Sequence, residues 1–110
     1  MKNNKNDTLT EDSPEISEML RNRFLREQRI RHYEPLLEKA EAALREEDAV
    51  LDNPELEGWI EELTYYYESE DWKSDFAADE NGLLPADLKR GVLSEDGIYN
   101  VLERYKEIRG

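Results

Sequence analysis

The chain has 110 residues, of which 39% are charged, and 28 Asp and Glu against 15 Lys and Arg give a net charge of −13. It contains no Cys, which excludes disulfides, thiolate nucleophiles and Cys-based zinc sites. The length suits one domain, no run approaches the ~18 apolar residues of a membrane-spanning helix, and residues 1–20 lack the apolar core of a signal peptide, so a soluble cytoplasmic protein is expected.

The apolar share of 37% lies below the roughly 45–50% usual for globular domains. β-Branched residues are scarce, so a sheet would lack its preferred material. The expected fold is therefore all-α: a small helical bundle with a long N-terminal helix, a second helix from about Asn53 and a C-terminal helix from Ser94. The charge is uneven. Residues 50–87 carry one Lys and 12 Asp or Glu, a net of −11. Such a field repels nucleic-acid phosphates and anionic lipid and favours a basic protein partner.

Residues 1–13 are polar and read as a disordered tail ahead of a single helical domain, 14–110. Thr10 or Ser13 is positioned to cap the first helix, and Pro14 suits its first turn. From Pro14 to about Glu47 the pattern is helical. Ile30, Tyr33, Leu37, Ala40 and Leu44 recur at spacings of 3, 4, 3 and 4, which places them on one face. Ile16, Leu20 and Phe24 recur every four residues on a drifting face. Pro35 bends or breaks a helix at a cost of ~3 kcal/mol. Two helices and one kinked helix both fit, and the surviving apolar phase favours the kink. Arg21, Arg23, Arg26, Arg29 and Arg31 scatter around the helix, so they predict salt bridges to the acidic segment rather than a basic patch.

Residues 46–53 make a connection. Asn53-Pro54 is a helix start, and Leu56, Trp59, Ile60, Leu63, Tyr66 and Tyr67 form one apolar stripe. Tyr65, Trp72 and Phe76 fall on the opposite side. Either the helix has two apolar faces or it breaks near Ser69, and Ser69-Glu70-Asp71 favours the break because it reads as an N-cap with an acidic first turn. Asn81-Gly82 reads as a C-cap. Pro85 to Arg90 predicts a short helical turn, ended by a positive φ at Gly91. Ser94 is then the N-cap of the last helix, with Leu93 and Ile98 as a hydrophobic staple and Ile98, Val101, Leu102, Tyr105 and Ile108 as its stripe. Gly97, inside the first turn, has no local reason, and close approach of another backbone is one that would serve.

The segments YYES (Tyr66–Ser69), WKSDF (Trp72–Phe76), ENGLLP (Glu80–Pro85) and DLKRGVLSED (Asp87–Asp96) resemble an uncharacterised bacterial family, the domain of unknown function 4298. The resemblance implies a small cytoplasmic all-helical protein and implies no activity.

Candidate chemistry is sparse. His32 is the lone histidine, without a Glu three residues before it. Asp71, Asp75 and Asp79 form a ridge that could hold Mg²⁺ or Ca²⁺ through oxygen, but the spacing is not that of an EF-hand. The ridge serves equally as a solvated face, or as the receiver of Lys89, Arg90 and the first-helix arginines. Ser94 has no neighbouring base, so its reading is a helix cap rather than a nucleophile. Tyr66, Trp72, Asp75, Asp79, Lys89 and Arg90 are the interaction candidates, although an aromatic cluster at Trp72 also suits a core. No cofactor is expected. The first functional reading is a non-enzymatic protein-interaction module whose acidic face meets a basic partner. A structural homodimer seamed by Ile16–Phe24 and a divalent-metal-dependent enzyme using the Asp71/Asp75/Asp79 ridge are the alternatives.

Overall fold

The structure, a computed structural model, describes residues 14–46 and 52–110. The expected tail with its caps Thr10 and Ser13, and residues 47–51 of the expected connection, lie outside the described residues. Everything regular among the described residues is helical.

Helix α1 runs from Pro14 to Leu44 without a break at Pro35. The apolar repeat explains its path: Ile30, Leu37, Ala40 and Leu44 are buried, and Tyr33 and Leu36 pack partly against them. Pro35 is itself exposed, and the helix continues through it although the proline leaves the Arg31 carbonyl without its helical donor.

Helix α2, Leu56–Tyr67, begins three residues after Asn53. Asn53 instead caps the entry turn, its side-chain oxygen accepting the Glu55 N–H at 3.0 Å. Leu56, Ile60, Leu63 and Tyr66 are buried, as the stripe requires, with Trp59 and Tyr67 packed at its edges. Lys39 lies over the Trp59 ring, His32 meets Glu62, and Tyr33 stacks on Tyr66. These pairs run in opposite sequence directions, so α1 and α2 are antiparallel.

The break at Ser69 is present. Ser69 adopts extended backbone (φ −88°, ψ 160°), and its hydroxyl oxygen accepts the Trp72 N–H at 3.2 Å. That cap starts α3, Glu70–Glu80. Gly82 at φ +69° ends it, with the Gly82 N–H on the Asp79 carbonyl and the Leu83 N–H on the Ala78 carbonyl. This is a Schellman closure, which the glycine permits because it lacks a Cβ.

The segment from Pro85 to Leu93 departs from the sequence reading. Residues 85–88 make a turn, with the Leu88 N–H on the Pro85 carbonyl, and no helix. Gly91 does not have a positive φ; it opens a 3-10 turn, Gly91–Leu93. Ser94 does not cap the last helix. Its N–H (3.1 Å) and its O–H (2.8 Å) both donate to the Gly91 carbonyl, closing the 3-10 turn. Helix α4 therefore starts later, at Gly97, and runs to Arg109. Asp96 is its N-cap residue, without a side-chain capping bond. The close-approach reading of Gly97 holds: a Cβ there would stand 2.6 Å from the Gly91 carbonyl oxygen and 2.5 Å from the Ser94 hydroxyl. Leu88, Val92, Leu93, Ile98 and Val101 complete the core against α1 and α2.

Candidate functional site

The polar centre of the molecule is Asp75, whose side chain is fully buried. Ser69 sets the direction of α3, and Asp75 then faces α1 while Asp79 meets Arg90 of the 85–93 segment. Arg29 forks onto Asp75, Nε to Oδ2 at 3.0 Å and Nη2 to Oδ1 at 2.7 Å. Arg26 Nε donates to Oδ1 at 3.3 Å, and its Nη2 reaches the Ser74 hydroxyl at 3.3 Å. The Tyr66 hydroxyl donates to Oδ2 at 2.6 Å.

A carboxylate offers about four lone-pair sites, and Asp75 accepts four hydrogen bonds. It is therefore fully satisfied, with nothing left to ligate a cation or to take a substrate proton. The hydrogen bond to Asp75 raises Arg29 further above its ordinary pKa, so the guanidinium stays charged. Burial, and then the bond to Asp75, hold the Tyr66 phenol well above its usual range, so it remains a donor. The Tyr33 ring stacks on Tyr66 with centroids 4.2 Å apart and planes 5° apart. Burial, and then the nearby Glu62, also raise Tyr33. The arrangement can lock α1, α2 and α3 together; it offers no reactive group.

The other members of the acidic row divide. Asp71 is exposed and 4.0 Å from Arg29 Nη1. Asp79 pairs with Arg90 Nε at 3.1 Å. Lys89 turns the other way, toward Glu38 at 3.7 Å. Tyr66 and Asp75, both interaction candidates by sequence, are buried and face each other. Trp72 also serves inside: it stacks on Phe76, meets Tyr67 edge-on, and its indole N–H donates to the Val92 carbonyl at 2.8 Å. The metal reading loses its ligand set with Asp75, and among the described residues no group of three or more Asp, Glu or His is arranged to hold an ion.

Sequence reasoning missed Glu34. One of its carboxylate oxygens accepts the Val92 N–H at 3.0 Å, and burial raises its pKa. Val92 thus has its N–H held from α1 and its carbonyl from α3. Gly91 leaves this carboxylate room: a Cβ there would stand 3.0 Å from one Glu34 oxygen. Nothing local in the sequence signals a pairing across 58 residues.

Two outward surfaces of α2 stand out among the described residues. A groove of about 550 Å³ lies between α2 and α4, lined by Ile60, Thr64, Tyr67, Tyr99, Leu102 and Tyr105. Glu68 and Glu103 balance Lys106 and Arg109 at its rim, so it has no charge preference. The outer side of α2, opposite its core stripe, carries Glu57, Glu61, Tyr65 and Glu68 at spacings of 4, 4 and 3, all exposed. No ion pair engages these carboxylates among the described residues.

Compared with known proteins, residues 26–110 match the family model of a domain of unknown function (DUF4298). No curated protein and no solved structure matches the chain.

Proposed function

The chain belongs to the DUF4298 family, and from that premise we propose that it acts as a non-enzymatic interaction module, a small acidic cytoplasmic protein of bacterial type that docks a basic protein partner on the outer face of α2. The observation that carries the reading is the row Glu57, Glu61, Tyr65 and Glu68. Three carboxylates lie along one exposed helix face, spared the internal pairing that occupies Asp75 and Asp79. Tyr65, 74% exposed, adds a rigid aromatic contact of the kind enriched at interface centres. Like charges held in a row raise the local field and speed the arrival of a cationic surface. The closure of Asp75 supports the non-enzymatic half of the reading, because the best-formed polar cluster has no open coordination or proton-accepting site. No helix of the described residues is long and apolar enough to cross a membrane.

Affinity purification of the full chain from cell extract, with mass spectrometry at low and high salt, tests this. The expected result is a basic partner that is retained at low salt, released at high salt, and lost with the Glu57→Lys, Glu61→Lys, Glu68→Lys triple variant. A partner that stays bound to the charge-reversed chain overturns the proposal, as does the absence of any salt-sensitive partner.

A further inference from the structure

We draw no further inference here: the strongest candidate, the apolar groove of about 550 Å³ between α2 and α4 lined by Ile60, Tyr67, Tyr99, Leu102 and Tyr105, has Glu68 and Glu103 offset by Lys106 and Arg109 at its rim, and nothing in the structure shows what covers it.

Discussion

Residues 15–25 and 26–44 of α1 belong to one unbroken helix, and both stretches carry arginines and large apolar side chains. In the second stretch most features have a counterpart: Arg26 and Arg29 meet Asp75, Glu34 meets Val92, and Ile30, Leu37, Ala40 and Leu44 meet the core. In the first, residues 18–25 are all exposed. Composition alone does not separate the two stretches. What separates them is whether the phase of the apolar repeat coincides with elements far along the chain, as it does from Ile30 onward and does not around Leu20.

The strongest attack on that contrast is Asp75→Ala. It strands two arginines and a buried phenol, and removing one partner of a buried pair costs about 3–5 kcal/mol. Arg26 and Arg29 keep 22% and 25% of their side-chain surface in water, so the loss in urea denaturation should fall at the low end, about 3 kcal/mol. Tyr66→Phe removes one hydrogen bond to a charged group, worth about 2 kcal/mol. It also changes the alkaline limb. Because the folded state holds the Tyr66 phenol above its usual pKa, its contribution is fully present below the unfolded value near 10 and is lost as pH rises above it. Wild type should therefore lose stability above that pH more steeply than Tyr66→Phe, as followed by circular dichroism. Gly97→Ala, which drives a methyl group against the Gly91 carbonyl, should lower stability by about 1–2 kcal/mol.

Glu34→Gln is subtler. Burial raises the Glu34 pKa, so its contribution is fully present below the unfolded value of about 4.5 and falls as pH rises through the higher folded value. Gln retains an oxygen for the Val92 N–H and has no charge to bury, so the variant should flatten the stability profile over that window by about 1 kcal/mol or less. Phe24→Ala marks the far end of the comparison. In dilute solution it should change unfolding free energy by no more than about 0.5 kcal/mol, although Phe24 is one of the largest apolar side chains in α1. A loss as great as that of a core residue would show that residues 15–25 are packed in the isolated chain and would erase the contrast.

Features set by near neighbours were legible in the sequence. The 3, 4, 3, 4 repeat of α1, the α2 stripe, the Ser69 cap and the Gly82 closure each involve a few adjacent turns. The role of Asp75 was legible only in part: the Asp71, Asp75 and Asp79 row reads as a receiver of first-helix arginines, which Arg26 and Arg29 bear out, but not which carboxylate is buried. Three carboxylates four residues apart look alike whether they face water or an arginine 46 residues earlier. The Ser94 cap failed for a related reason: Ser-Glu-Asp is a sound helix start, but the 3-10 turn ahead of it presents the Gly91 carbonyl, which takes both Ser94 donors and delays α4 to Gly97. Gly91 itself was read as a backbone requirement. Its φ is not positive, and its nearest neighbour is instead the Glu34 carboxylate, a contact that appears once α1 and the 3-10 turn are side by side.

The double grip on Val92 also orders events in time. Its donor and acceptor are held by Glu34, 58 residues earlier, and Trp72, 20 residues earlier, and the buried Leu93, Ile98 and Val101 come after it. A chain growing from its N-terminus can form its first helices early, but it cannot seal their apolar faces until this stretch has been synthesised. Until then the greasy side of α1 is open to whatever else is in the cell, and it is Val92, Leu93, Ile98 and Val101 that close it.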